Sequence, residues 1–294
     1  MTKPAIGFIG LGLMGSAMVE RLQARGYALT VLANRNRAGV DAAIARGAAE
    51  AATARDLAAA SDIVMLCMDT SAHVEDRAFG PAGFVAGVRK GTVVIDFGTS
   101  LPDSTRRIGA ELTARGADYL DAPLGRTPSH GREGKLNIMG AGDAAAFARV
   151  RPVLDDLGEN VFHLGPLGTG HTIKLINNFF AMTTACAMSE AFAMADRAGI
   201  ARDSLYRVMA AGPLRSGMMD FIRNYAVDGQ IDLAFSLANA AKDVGYYAAM
   251  AEAMGAASAM SGAARGALGA AVAAGWGDRM VPEMVDFMAP GGKE

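Results

Sequence analysis

Six residues, Gly10-Leu11-Gly12-Leu13-Met14-Gly15, constrain this 294-residue chain more tightly than any other stretch. They follow a short apolar run, Ala5-Ile-Gly-Phe-Ile9, and lead directly into a helical pattern from Ser16 to Arg25. Strand, glycine turn and helix in that order have a physical logic. The first glycine makes the tight turn, the second lets backbone N–H groups approach a pyrophosphate, and the third lets helix and strand pack closely. Glycines at this spacing mean little by themselves. Here both flanks are right and a second strand follows at Ala28-Leu-Thr-Val-Leu32, so the segment predicts a dinucleotide site.

At the end of that second strand NAD-binding folds usually place an acidic residue on the adenosine ribose. This chain has Asn34-Arg35-Asn36-Arg37. A guanidinium there can hold a 2′-phosphate, so NADP(H) is the preferred cofactor and NAD(H) the alternative. The competing account is that Arg35 and Arg37 only solvate a loop. Further strands are predicted at 62–68, 91–96, 117–121 and 135–139, most of them separated by helical stretches. Such alternation implies a mostly parallel sheet covered on both faces, with ligands at the carboxyl ends of its strands. Asp69, Thr99 and Asp121 fall at such ends, and Thr99 either bonds cofactor or substrate or starts the next helix. The loop from Asp121 to Gly131 carries Gly125-Arg126-Thr127. The arginine fork suits a carboxylate, phosphate or sulfonate, and a surface ion pair is the alternative.

After Gly168 the strand signal ends. No Gly or Pro occurs between Gly170 and Gly199, which predicts one helix over about 170–198, on the order of 40 Å long. That exceeds one face of a small domain, so the chain divides into an α/β domain over 1–165 and an all-helical domain over 166–294. Lys174, Asn177 and Asn178 stand at i, i+3 and i+4, putting an ammonium and two amides on one helix face where an anion can dock. Ile173, Leu175, Ile176, Phe179 and Phe180 surround the lysine with apolar side chains, and a partly buried lysine needs a partner or a task. Otherwise it is an ordinary solvated lysine. Beyond it the chain is rich in Ala and Met, with breaks at Gly199, Gly212-Pro213, Gly229 and Gly275 to Gly277, and reads as a helix bundle. Close-spaced Ala and Gly from 240 to 274 predict tight helix packing, including between subunits. Lys242-Asp243 is either a solvated pair or places Lys242 towards a cleft.

The charge balance excludes other classes. With 28 basic and 30 acidic residues, and no long run of either sign, nothing marks a nucleic-acid or membrane surface. The longest apolar stretch, Phe179 to Met188, is far short of the roughly 18 residues of a membrane span. Cys67 and Cys186 lie far apart in apolar runs, and the histidines at 73, 130, 163 and 171 have no ligand spacing. Buried free thiols, no metal site and a reducing, cytoplasmic setting are expected.

Taken together, Gly10-x-Gly12-x-x-Gly15, Asp121-Ala-Pro, Gly168-x-Gly170-x-x-x-Lys174-x-x-Asn177-Asn178, and Phe235 followed by Lys242-Asp243 resemble the β-hydroxyacid dehydrogenases. That group includes 3-hydroxyisobutyrate dehydrogenase and the tartronate, glyoxylate and succinic semialdehyde reductases. The resemblance implies an N-terminal Rossmann domain with a doubly wound sheet, a long interdomain helix, and an all-α C-terminal domain that helps form a homodimer or homotetramer. It implies that Lys174 is the catalytic acid/base, that Asn178 and its neighbour Asn177 meet the substrate, and that Lys242 lies near cofactor and substrate. Most members carry Ser-Gly-Gly where this chain has Gly125-Arg126-Thr127. That triplet looks like the sulfolactaldehyde reductase branch, whose arginine helps bind a sulfonate, although Ala181 stands where the branch has a serine. The implied reaction interconverts a small anionic aldehyde and its hydroxy acid. An imine reductase and a non-catalytic nucleotide-binding module share the architecture, and Lys174 counts against both.

Overall fold

The computed structural model describes residues 3–34, 36–289 and 291. The chain separates into two units, the first ending at Lys174 and the second beginning at Leu175. The first unit opens with β1 (Ile6–Ile9), α1 (Leu13–Ala24), β2 (Leu29–Leu32), α2 (Ala38–Ala45), β3 (Ala49–Ala51) and α3 (Ala54–Ala59). It continues with β4 (Ile63–Leu66), α4 (Ser71–Phe79), β5 (Val93–Asp96), α5 (Pro102–Thr113), β6 (Asp118–Asp121) and β7 (Leu124–Gly125). α6 (Pro128–Glu133), β8 (Leu136–Gly142), α7 (Ala144–Leu157), β9 (Gly158–His163) and the start of α8 (Thr169–Arg197) complete it.

β1, β4 and β5 are buried at every position and consist almost wholly of apolar residues, the pattern of strands covered on both faces. They form the middle of a sheet ordered β3-β2-β1-β4-β5-β6-β8-β7, with β9 added beside β8. The run from β3 to β6 is parallel, whereas β8 is antiparallel to both β6 and β7. Strand order reverses between β1 and β4, and crevices at such reversals are where doubly wound sheets bind ligands. One face of the sheet buries Phe8, Met18, Leu22, Val31 and Leu154, and the other buries Leu57, Leu66, Ile108 and Leu112. This is a Rossmann-type unit. β3, β7 and β9 are absent from the strands expected from sequence. β3 is three mostly exposed residues and β7 is two, too short for any periodicity, while β9 is an edge strand whose outer half is exposed.

The second unit is helical: the remainder of α8, then α9 (Arg202–Ala210), α10 (Gly217–Asp228), α11 (Leu237–Ala253), α12 (Ala259–Ala271) and α13 (Met284–Met288). Its core joins Met182, Met188 and Phe192 of α8 to Ile222, Leu268 and Val285. Trp276 meets Phe287 edge-on at 5.5 Å between ring centroids. Two expectations for 240–274 need correction. The segment breaks at Gly255, whose φ of 68° suits glycine. Within this chain, tight packing is not the role of Gly245, Gly262, Gly266 and Gly269, since a methyl group on any of them would meet nothing within 4 Å. Among the described residues no helix is long and apolar enough to cross a membrane.

Candidate active site

The three glycines of the first turn answer to different demands. Gly10 has φ 98°, and a Cβ there would lie 2.3 Å from the Cys67 carbonyl at the head of β4. At Gly15 a Cβ would lie 1.9 Å from the Gly10 carbonyl oxygen. Both are therefore required by the fold itself. Gly12 has an ordinary extended backbone, φ −73° and ψ −161°, and open space where its Cβ would stand. Among the described residues nothing requires a glycine there, and its bare backbone is open to the approach of a phosphate. α1 begins there with no side-chain cap and no acidic residue in its first turn, unlike α3, α4 and α7, which are capped by Thr53, Thr70 and Asp143. Uncapped N–H groups and the positive end of the helix dipole suit a phosphate. These residues fit a dinucleotide.

At the end of β2, Arg35 lies outside the described residues. Arg37 grips both oxygens of Glu50 and one of Asp41, so its fork is occupied by carboxylates. The Glu50 carboxyl is held below its usual range by that grip. The Asn34 side-chain oxygen accepts from Arg77 of α4 at 3.2 Å. Thr99 is half-buried in the β5–α5 loop and does not start the helix: α5 begins at Pro102 with Leu101 at its cap position and no side-chain cap bond. That alternative for Thr99 is overturned.

The loop after β6 meets α8 twice. Asp121, fully buried, accepts from the Gly168 N–H at 2.8 Å through Oδ1 and from the His171 N–H at 2.7 Å through Oδ2. Three residues on, the Leu124 carbonyl accepts from the Lys174 ammonium at 2.7 Å. The glycines before the lysine allow this. Gly168 has φ 94°, and a Cβ on Gly170 would lie 2.3 Å from the Met139 carbonyl and 2.9 Å from Asp121 Oδ2. Lys174 is half-buried and engaged, so it is not the freely solvated lysine of the alternative reading. His171 is fully buried: Nδ1 is 2.7 Å from the Thr105 hydroxyl, and Nε2 is 3.8 Å from Asp96, another buried carboxylate.

Gly125 ends β7 and Arg126 follows with φ 76°, the one non-glycine residue with positive φ among those described. Its guanidinium donates to the Lys135 carbonyl and pairs with Glu159, so the ion pair weighed against anion binding is the arrangement seen. The Thr127 hydroxyl bonds Ser129 and His130 at the start of α6. In the second unit, Asn177 donates to the Asn178 oxygen at 3.2 Å, and Asn178 donates to Asp243 at 2.6 Å. Lys242 lies 3.0 Å from Asp243, with side-chain exposures of 19% and 2%. These values correct the solvated-pair reading. Burial pushes the Cys67 and Cys186 thiols up to about 12, which disfavours the thiolate, and no metal-binding cluster exists among the described residues.

Residues 5–165 match the NAD binding domain of 6-phosphogluconate dehydrogenase, and residues 168–288 match the NAD-binding of NADP-dependent 3-hydroxyisobutyrate dehydrogenase. The 2-hydroxy-3-oxopropionate reductase of Escherichia coli is 32% identical over 81% of each chain. The chain belongs to the 3-hydroxyisobutyrate dehydrogenase-like family. The NAD-dependent L-serine dehydrogenase of Pseudomonas aeruginosa is also similar, 35% identical over 69% of this chain and 68% of its own. The crystal structure of a 3-hydroxyisobutyrate dehydrogenase from Salmonella typhimurium is 28% identical, with a TM-score of 0.84, and covers 97% of this chain and 100% of its own. The protein is thus an NAD(P)-binding oxidoreductase by family. In this 3-hydroxyisobutyrate dehydrogenase-like chain, sequence reasoning missed two residues that the fold brings to the expected ones, Arg77 and Glu159, and the partners of two that it had named, Asp243 and Asp121. Arg77 reaches Asn34, Glu159 holds Arg126, Asp243 holds Asn178, and Asp121 acts on α8 rather than as part of an open loop. Only Asp121 and Asp243 carried a signal, through their motifs.

Proposed function

We propose that the protein reduces a small aldehyde bearing a carboxylate or sulfonate to the hydroxy acid, and catalyses the reverse oxidation, with NADP(H) preferred over NAD(H). The observation that carries this reading is the double tether of Lys174: its ammonium on Leu124 at the start of β7 and the start of its helix on Asp121 at the end of β6. A lysine held at both ends aims its proton at one point in space, which is what a general acid requires. The turn from Gly10 to Gly15, with Leu11, Leu13 and Met14, would hold the pyrophosphate, and Asn34, Arg35 and Thr99 would meet the rest of the dinucleotide. When bound, its nicotinamide supplies or takes up the hydride. Lys174 protonates the carbonyl oxygen as it becomes a hydroxyl and takes that proton back in the oxidation. Asn178, one turn further along α8, orients the substrate, its amide fixed by Asn177 and Asp243.

The anionic end is read by the Gly125-Arg126-Thr127 loop. Glu159 is about half exposed, so it can swing into solvent when a substrate anion takes its place on the guanidinium. The E. coli relative's name, a reductase of an oxo acid, supports an aldehyde with a carboxylate. The test follows oxidation of NADPH and NADH with sulfolactaldehyde, succinic, methylmalonate and tartronate semialdehydes, and glyoxylate, with a cyclic imine as control. One anionic aldehyde should lead, and Lys174→Ala should lose most turnover while keeping cofactor affinity. Reduction of the imine alone, or normal turnover by Lys174→Ala, would sink the reading.

A further inference from the structure

The end of β2 meets a guanidinium that the sequence motif does not contain. Arg77 sits in the last turn of α4, half-buried, with Nη2 3.2 Å from the Asn34 side-chain oxygen across 43 residues of sequence. α4 follows β4 and Asn34 follows β2, and these two strands flank β1, which leads into the glycine turn. The local charges are distributed unevenly. Asp41 and Glu50 lie at this loop, and Arg37 engages them both. Among the described residues no carboxylate lies within ion-pair distance of Arg77. Its Asn34 partner is a neutral amide, which orients the fork without cancelling its charge.

We propose that Arg77 is a specificity-determining residue that reads the 2′-phosphate of the adenosine end of NADP(H), with Asn34 as the amide that aims it. The proposal rests on the reading that the glycine turn takes a phosphorylated dinucleotide, and it does not depend on which aldehyde is reduced. In folds of this type the end of β2 lies against the adenosine ribose. A carboxylate there takes the ribose hydroxyls and repels a phosphate. An amide with a planar cationic fork behind it does the reverse, because guanidinium and phosphate match through paired charge-assisted hydrogen bonds. The first turn of α2 closes the other side of this end: a Cβ on Gly39 would lie 2.5 Å from the Leu11 carbonyl, so the nucleotide loop and α2 are already in contact.

The test is calorimetric or fluorescence titration of the substrate-free protein with NADPH and NADH. Wild type should bind NADPH more tightly. Arg77→Ala should weaken NADPH by about tenfold or more and leave NADH within about twofold, with Arg77→Lys between the two. Asn34→Asp is the second variant. Its carboxylate would capture Arg77, so the preference should move towards NADH. An unchanged thermal unfolding midpoint of the cofactor-free protein shows in each case that the variant is folded. If wild type prefers NADPH but Arg77→Ala and Asn34→Asp keep that preference, the role of Arg77 is overturned and the cofactor reading stands. If wild type shows no preference for NADPH, the cofactor reading fails and the role of Arg77 falls with it.

Discussion

Alanine at each glycine of the first turn should separate folding from binding. At Gly10 and Gly15 the new methyl group collides with backbone carbonyls, and at Gly10 the positive φ adds strain, so losses of about 2–6 kcal/mol are expected in urea unfolding. Gly12→Ala meets open space with an ordinary φ. It should leave stability unchanged or raise it by about 0.4–1 kcal/mol, while titration shows dinucleotide affinity lost. A destabilised Gly12→Ala that still binds would reverse the assignment of that space. The glycines and Lys174 were legible in the sequence because their demands are local, a turn and a helix face within a few residues. Partners were not. Arg126 finds Glu159 across 33 residues and Asn34 finds Arg77 across 43, and the strand order that joins them leaves no mark in either segment.

At the scale of elements, the start of α8 rests on Asp121. Its first turn hands two N–H groups to Asp121, the partners that helix N-termini otherwise lack. Asp121→Asn puts an amide NH₂ against one of those N–H groups, and a buried donor without an acceptor costs about 1–3 kcal/mol. Amide exchange should accelerate at Gly168 to Thr172 well before it does in the buried strands. The turnover number should fall more than cofactor affinity, because the lysine's helix loses its anchor while the glycine turn is untouched. Unaltered exchange at those amides would show that Asp121 does not hold the helix. Elements with a continuous apolar run or a clean glycine boundary, such as β1, β4, β5 and α8, could be read from sequence. β3, β7 and β9 could not, since short or half-exposed edge strands lack the alternation that marks a strand.

On the scale of the whole molecule, both units carry groups whose ionisation opposes folding. Burial pushes Tyr27 and Cys67 up to about 12 in the first unit and Cys186 and Tyr225 up to about 12 in the second, with Asp156 and Asp286 adding to the two tyrosines. The unfolded chain releases these protons first, so the native state binds more protons in alkali. The stability they contribute is present in full below about pH 9 and is lost as pH climbs from about 9 to 12. Denaturant midpoints should fall over that range, and a flat profile would mean that the four groups titrate as they do in water. The two-unit division itself follows from the loss of strand signal after Gly168, but the exact seam does not, because α8 starts in one unit and ends in the other. The Asp121 tether has a consequence for biosynthesis. A nascent chain has every strand of its sheet in hand once His163 has left the exit tunnel, yet Asp121 and Thr105 still wait for Gly168 and His171. A buried carboxylate without donors keeps its water, so the pocket around Asp121 cannot dry until the opening turn of the next helix arrives, and a fragment cut at residue 165 would keep that pocket wet.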